Sequence, residues 1–212
     1  MPRYTTIRER MVVEQLVPRG IKDERVLAAM REVPRHYFVD DALRSRAYGD
    51  FPLPIASGQT ISQPYIVACM TEALDLKGHE TVLEIGTGSG YQAAILSRIC
   101  TKVYTIERIN VLLAGARRVF DQLNYFNIVS KMDDGTMGWP EHGPFDGIIV
   151  TAGGPGVPKP LIEQLAEGGK LIIPVGDQHL QDLQLVEKID DEIKISHRER
   201  VRFVDLVGEH GW

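Results

Sequence analysis

The sequence is poor in cysteine and has no long apolar runs. Only two cysteines occur among 212 residues, Cys69 and Cys100, and both lie in apolar stretches with helical character. Two thiols exclude a disulfide framework, so we expect buried free thiols in a reducing compartment. No apolar run approaches the roughly 20 residues of a membrane-spanning helix, and the N-terminal stretch MPRYTTIRERMVVEQL lacks an apolar signal core. These absences predict a cytoplasmic protein without a membrane partner.

Basic charge is not in excess either. Lysine and arginine number 24 against 29 aspartates and glutamates, which gives a net charge of −5. This balance argues against a protein whose main ligand is a nucleic-acid backbone. The six histidines show no metal-ligand spacing and no CxxC occurs, so we expect no metal site. Apolar residues at 43% and charged residues at 25% are typical of a globular chain.

Between residues 81 and 175 the chain alternates strand and helix patterns. Apolar strands are predicted at 81–85, 102–106, 127–131, 145–150 and 170–175, and helices at about 91–100, 110–123 and 158–167. Pro158 suits the start of the last helix and Gly168–Gly169 its end. Near-continuous apolar strands with short connections predict a doubly wound α/β fold, with a mostly parallel sheet and helices on both faces.

The two flanking regions have a different texture. Residues 1–60 predict short helices, one over residues 4–17 and another capped by Asp23, and an irregular stretch at 51–64 leads into a helix at 65–74. Residues 180–212 alternate apolar and polar side chains around an Asp-Asp-Glu turn. This pattern predicts a C-terminal antiparallel hairpin at the edge of the sheet, beside an N-terminal helical extension.

The segment VLEIGTGSGY (82–91) is the most informative one. An apolar strand runs into Gly86, Gly88 and Gly90, and a helix follows, as in loops whose backbone amides approach a ligand. The third glycine comes one residue earlier than in the dinucleotide fingerprint. Glu84 would repel a pyrophosphate but suits a cationic ligand such as a sulfonium nucleoside. The alternative is an ordinary strand-to-helix turn.

Two further strand ends add to this pattern. Glu107 ends the next strand, 21 residues after Gly86, where a carboxylate can accept both hydroxyls of a ribose. Asp134 and Gly135 follow the third strand, near the place where an adenine amino group would lie. A surface glutamate and a plain turn are the respective alternatives. Together the three strand ends predict a ligand crevice at the carboxyl edge of the sheet.

This combination resembles class I S-adenosylmethionine-dependent methyltransferases, and the surrounding segments resemble the protein-L-isoaspartate O-methyltransferase family. The similar segments are 25–39, 57–74, 82–96, 145–153, 161–176 and 201–206, of which SGQTISQP and VRFV are the most specific. The resemblance implies methyl transfer from S-adenosylmethionine, without a metal, to the free α-carboxylate of L-isoaspartyl residues in damaged proteins and peptides. S-adenosylhomocysteine is the implied product, and repair would proceed through a succinimide.

The resemblance also implies domain organisation and residue roles. A single methyltransferase domain would cover 1–212, with a substrate-side region at 1–80, a cofactor-binding core at 81–176 and the hairpin at 177–212. The implied cofactor contacts are Glu84, Gly86, Thr87, Gly88, Ser89, Gly90, Glu107, Asp134 and Gly135. The implied substrate contacts are Thr60, Ser62, Val201, Phe203 and Val204, with an edge strand at 201–206 beside the peptide. Asp133 and Asp205 depart from the family, which usually has Gly and Pro there.

Ser62 is the predicted active-site residue. A carboxylate substrate is already ionised at neutral pH, so no general base is needed. A hydroxyl can hold one carboxylate oxygen and leave the other free to attack. The alternative is that Ser62 only caps the helix beginning near Pro64. Two other functions stay open. One is an O-methyltransferase that acts on an ordinary aspartate in one peptide, an alternative supported by the departures at Asp133 and Asp205. The other is a module that binds the cofactor without catalysing a reaction.

Overall fold

The computed structural model describes residues 2–212, and side chains from residue 4 onward. A two-stranded ribbon consists of β1 (Leu53–Pro54) and β2 (Thr60–Ile61). The main sheet consists of β3 (Thr81–Ile85), β4 (Lys102–Glu107), β5 (Ile128–Met132), β6 (Phe145–Val150), β7 (Leu165–Gly176), β8 (Gln181–Ile189) and β9 (Glu192–Val201). Its seven strands lie in the order β5-β4-β3-β6-β7-β8-β9.

Six α-helices accompany these strands in the part of the chain that the structure describes. They are α1 (Pro2–Met11), α2 (Glu24–Glu32), α3 (Pro64–Ala73), α4 (Tyr91–Ser97), α5 (Asn110–Gln122) and α6 (Lys159–Glu163). Helix α1 continues into a π-helical turn, Val12–Leu16. Asp23 caps α2 as expected, because its carboxylate accepts the amides of Arg25 and Val26 at 2.7 and 3.1 Å. None of the helices within residues 2–212 is long and apolar enough to cross a membrane.

The predicted fold class is confirmed. Strands β3 to β7 are parallel to their neighbours, and β8 and β9 form an antiparallel hairpin on β7. One row of paired residues, Leu83, Ile148, Leu171 and Val186, lies in the core on one face; Val82, Ile149, Ile172 and Leu185 lie in the core on the other. Burial of both faces explains why these strands read as continuous apolar runs.

The helix predicted at 158–167 is wrong over its second half. Helix α6 ends at Glu163, and β7 begins two residues later at Leu165, which pairs with Phe145. The next pair is Gly147 with Lys170, so β7 carries extra residues in a bulge that includes Gly168–Gly169. The local sequence Leu-Ala-Glu favours a helix, but pairing with β6 overrides that weak preference.

The edge strand predicted at 201–206 is also wrong beyond its first residue. Strand β9 ends at Val201, and the chain then leaves the hairpin and passes beside Gly153 at the carboxyl end of the sheet. The Val204 carbonyl accepts the Gly153 amide at 2.7 Å, and the Leu206 amide donates to the Gly153 carbonyl at 2.8 Å. Alternation of apolar and polar residues continues past Val201, so the sequence pattern alone cannot locate this exit from the hairpin.

Candidate active site

A crevice of about 640 Å³ opens at the carboxyl ends of β3, β4 and β6. The strand order reverses between β3 and β6, which is where doubly wound folds bind ligands. Most of the predicted site residues line it: Thr60, Ser62, Gly86, Thr87, Gly88, Ser89, Glu107, Gly135, Phe203 and Val204. Glu84, Gly90, Asp134 and Val201 lie outside this lining.

The glycine loop has the backbone that its composition predicts. Gly86 and Gly88 have φ angles of +93° and +53°, which favour glycine. A Cβ at Gly86 would lie 2.5 Å from the Thr151 hydroxyl, whereas one at Gly88 would meet no atom closer than 3.8 Å. Contact with Thr151 therefore excludes any side chain at position 86, whereas the space beside Gly88 leaves room for a ligand. Gly90 is the N-cap of α4, and a Cβ there would lie 2.6 Å from Phe120.

Glu107 is a buried carboxylate fixed at the end of β4. One oxygen accepts the Gly88 amide and the other the Ile109 amide, both at 2.9 Å. Each carboxylate oxygen can accept more than one hydrogen bond. Glu107 is therefore held in place by the loop and can still accept hydroxyl donors from a ligand in the crevice.

Glu84 lies beneath the glycine loop rather than in the crevice. It is fully buried, and burial raises the pKa of its carboxyl to about 8. One oxygen accepts the Thr105 hydroxyl, which also contacts the Thr87 hydroxyl at 2.6 Å. The other oxygen has no hydrogen-bond partner in residues 2–212. The structure thus connects Glu84 to the crevice through two threonines, and its direct contact with a cofactor stays a prediction.

Both carboxylate oxygens of Asp134 accept hydrogen bonds from other parts of the protein. One oxygen accepts the Thr136 amide at 2.9 Å, and the other accepts the Glu209 amide at 2.8 Å. Although burial opposes ionisation, these hydrogen bonds keep the pKa of Asp134 below its usual value. Asp134 therefore ties the C-terminal segment to the crevice wall, and its contact with an adenine stays a prediction. Asp133 forms an ion pair with Lys131 at 2.8 Å.

Ser62 lines the crevice, and its hydroxyl is unengaged. Its side-chain oxygen forms no hydrogen bond within the described residues, while its carbonyl accepts a bond from Arg35 at 2.8 Å. The N-cap of α3 is Gln63, without a side-chain capping bond. The alternative in which Ser62 only caps this helix is therefore wrong. The Gln63 side-chain amide donates to the Asp50 carbonyl at 3.0 Å.

The segment after β9 supplies another part of the lining. Phe203 and Val204 line the crevice as predicted, and the charged side chains of Arg202 and Asp205 lie beside them. Val201 is buried in β9. The sequence reasoning missed Arg35, which is fully buried in the short turn that follows α2. The available signal was an arginine in the stretch VPRHYF, whose other residues, apart from His36, are apolar or aromatic.

The described residues contain no group of three or more His, Cys, Asp or Glu side chains that could hold a metal ion. The glycine loop fits a sulfonium nucleoside, because Gly88 leaves space beside it and Glu107 offers acceptors for ribose hydroxyls. The doubly wound sheet with this site defines a class I S-adenosylmethionine-dependent methyltransferase.

Comparison with known proteins gives the family. The family model described as protein-L-isoaspartate(D-aspartate) O-methyltransferase matches residues 7–211. The protein-L-isoaspartate O-methyltransferase of Desulfotalea psychrophila is 60% identical over 99% of this chain and 98% of its own. Protein-L-isoaspartate O-methyltransferase 1 of Syntrophobacter fumaroxidans is 56% identical over 100% of this chain and 99% of its own. The chain belongs to the protein-L-isoaspartate O-methyltransferase family.

Solved structures agree with this assignment. A structure of a protein-L-isoaspartate O-methyltransferase matches with a TM-score of 0.87 and 31% identity, covering 96% of this chain and 67% of that one. A family member from Plasmodium falciparum, in complex with S-adenosyl-L-homocysteine, matches with a TM-score of 0.82 and 25% identity. The second match covers 94% of this chain and 98% of that one.

Proposed function

We propose that this chain methylates the free α-carboxylate of L-isoaspartyl residues in damaged proteins and peptides, and that Ser62 holds this carboxylate. The observation that carries the proposal is one crevice shared by an unengaged serine hydroxyl, the glycine loop and Glu107. The methyl ester closes to a succinimide with release of methanol, and hydrolysis of the succinimide returns a fraction of the damaged residues to a normal aspartyl linkage. Family membership supports the same reaction.

The cofactor residues follow from the fit of the glycine loop. Glu107 would hold the ribose hydroxyls, residues Gly86–Ser89 would line the cofactor site, and Gly135 would border its adenine end. A Cβ at Gly135 would lie 2.4 Å from Ile85, so a larger residue there would displace the crevice wall. When bound, S-adenosylmethionine supplies a methyl group on a cationic sulfur, and its transfer to a carboxylate oxygen leaves S-adenosylhomocysteine.

The chemistry that remains for the protein is alignment. The substrate carboxylate has an ordinary pKa of about 3.5–4 and is ionised at neutral pH, so no side chain has to remove a proton. The Ser62 hydroxyl donates to one carboxylate oxygen and leaves the other free as nucleophile. Within the crevice, apolar groups such as Phe203 replace part of the carboxylate's hydration shell.

Recognition of the substrate backbone falls to the segment that follows β9. The Phe203 carbonyl and the Val204 amide form no hydrogen bond within residues 2–212, and both residues line the crevice. Free backbone groups of this kind can pair with an extended peptide whatever its side chains are. This arrangement suits an enzyme that finds a misplaced linkage in many proteins, with Thr60 as a further contact.

The remaining proposals concern context. The net charge of −5 supports protein and peptide substrates rather than nucleic acid. We also propose that residues 1–212 form a single methyltransferase domain, and that the protein acts in the cytoplasm without a membrane partner. In this domain, residues 1–80 would contact the substrate and residues 81–176 would bind the cofactor. Residues 177–212 form the hairpin and the segment that reaches the crevice.

One observation favours a second function, methylation of an ordinary aspartate in one particular peptide. Asp205 lines the crevice where the family usually has proline, and its carboxylate accepts a hydrogen bond from Gln178 at 3.2 Å. An oriented charge in the crevice would suit recognition of a specific sequence. The fold, the cofactor and Ser62 would be the same in both functions.

A matched pair of peptides distinguishes the two functions. Isoaspartyl and aspartyl versions of several sequences are incubated with the protein and S-adenosylmethionine, and methyl ester is measured by mass spectrometry. Because a misplacement of about 1 Å can cost a factor of about 100 in rate, we expect at least that preference in kcat/KM for the isoaspartyl member. Equal rates, or reaction of the aspartyl member alone, would support the second function. Cofactor binding without any ester would indicate a binding module.

A further inference from the structure

Arg35 is a fully buried arginine beside the proposed catalytic serine. It begins the short 3-10 turn Arg35–Tyr37, which follows α2. Its Nε donates to the Ala47 carbonyl at 2.7 Å, and its Nη2 donates to the Ser62 carbonyl at 2.8 Å. Its guanidinium carbon lies 4.7 Å from the centre of the Tyr91 ring. One side chain thus joins three segments that are distant in the sequence.

Burial of this charge is costly for the fold. Within residues 2–212, no carboxylate lies at ion-pair distance from Arg35, although Asp50 attracts its charge from further away, and its Nη1 has no hydrogen-bond partner. Removing a guanidinium from water costs several kcal/mol, and a buried ion pair can often be replaced by well-packed apolar side chains without loss of stability. Core stability alone therefore does not explain an arginine at this position, whereas its three contacts do explain it.

The three contacts converge on the site. Tyr91 is the first residue of α4, directly after the glycine loop, and Ser62 ends the ribbon segment that lines the crevice. The Ser62 carbonyl lies outside the hydrogen bonds of α3, because the first such bond runs from Val67 to the Gln63 carbonyl at 3.2 Å. Arg35 is accordingly its partner, and the planar guanidinium fixes the direction of both of its bonds.

We propose that Arg35 is a positioning residue that fixes Ser62 relative to the glycine loop, so that the serine hydroxyl meets the substrate carboxylate in the productive geometry. This inference rests on the role proposed above for Ser62. It requires no contact between Arg35 and substrate or cofactor. Small displacements of a group that aligns a nucleophile lower the rate far more than they lower binding.

The decisive variant is Arg35→Met, which has a similar length and removes the charge together with both hydrogen bonds. We expect a folded protein whose affinity for S-adenosylhomocysteine stays within threefold by calorimetry, and whose kcat on an isoaspartyl peptide falls at least tenfold. Arg35→Lys keeps the charge but lacks the planar fork, so we expect an intermediate loss of at least threefold. If Arg35→Met fails to fold, the lysine variant decides, and wild-type kcat in it would overturn the inference.

A double-mutant cycle shows whether Arg35 acts through Ser62. In a Ser62→Ala background, Arg35→Met should change kcat by less than twofold, because the hydroxyl it positions is gone. Equal losses in both backgrounds would overturn the inference.

Hydrogen exchange gives a readout independent of activity: Arg35→Met should accelerate exchange of amides at 60–67 and leave those of the central strands unchanged. Unchanged exchange at 60–67 would contradict the positioning role, whereas an inactive wild type would contradict the proposed function instead.

Discussion

The carboxylate of Glu107 accepts the amide of Gly88 at 2.9 Å, and this bond joins the end of β4 to the glycine loop. The same side chain accepts the Ile109 amide, so both of its oxygens are oriented before any ligand arrives. Preorganisation of this kind lowers the cost of ordering a site on binding. Glu107 thus both shapes the loop and offers acceptors to a ribose.

Replacement of Glu107 tests this double role. Glu107→Ala should weaken binding of S-adenosylhomocysteine at least tenfold, because each hydrogen bond to a charged group contributes about 1.5–3 kcal/mol. Glu107→Gln is the matched control, since its amide keeps one acceptor oxygen, and it should lose less affinity than alanine. Isothermal calorimetry on both variants provides the measurement. Wild-type affinity in the alanine variant would rule out Glu107 as the ribose contact.

Ser62→Ala should separate rate from binding. The variant loses the donor that holds the carboxylate, so we expect a kcat lowered at least tenfold with S-adenosylhomocysteine affinity within a few-fold of wild type. Residual turnover should stay measurable, because proximity alone provides much of the acceleration. Thr60→Ala is the control from the same ribbon and should cost less. Full kcat in Ser62→Ala would show that the hydroxyl does not hold the substrate.

The order of strands and helices could be predicted from the sequence because it depends on local patterns. The strand at 81–85 and the strand at 145–150 have the predicted bounds, since a sheet buried on both faces requires a continuous apolar run. The bulge before Lys170 and the exit of the chain after Val201 could not be predicted, because both depend on pairing between distant segments. Periodicity carries no information about such pairing.

The site could be predicted in part for the same reason. Ser62 and Glu107 fall where their motifs indicate, because each follows a recognisable segment at a fixed spacing. The partners of Asp134 could not be foreseen, since one of its oxygens bonds an amide 75 residues further along the chain. The burial of Arg35 could not be predicted, because arginines are rarely buried and the sequence does not show that its partners are backbone carbonyls.

Asp205 should shape the choice of flanking residues. Its carboxylate is exposed in the crevice lining, so it should repel acidic side chains next to the methylated residue. Asp205→Asn should raise kcat/KM by about two- to fivefold for isoaspartyl peptides with acidic flanks, and leave neutral peptides unchanged. The gain should shrink in high salt, because exposed charges are screened. An equal change for acidic and neutral peptides would show that the effect is not electrostatic.

Glu84 should make the stability of the ligand-free protein depend on pH. Burial raises the pKa of this carboxyl to about 8, so the folded protein retains a proton that the unfolded chain has already lost. The free energy of unfolding should therefore fall as the pH rises from about 4.5 to about 8, by up to a few kcal/mol from this group. Glu84→Gln removes the titration but keeps an oxygen that can accept the Thr105 hydroxyl.

The measurement is a set of thermal melts of both proteins between pH 5 and pH 8 without cofactor. Other titrating groups are common to the two proteins, so the difference in melting temperature isolates Glu84. This difference, glutamine variant minus wild type, should become more positive as the pH rises, because it becomes less and less favourable for folded wild type to keep a proton on Glu84 that the unfolded chain releases. A constant penalty from the glutamine amide would shift the whole curve without changing its slope. Parallel curves would mean that Glu84 is either ionised or solvated throughout this range, and the buried neutral carboxyl beneath the glycine loop would be excluded.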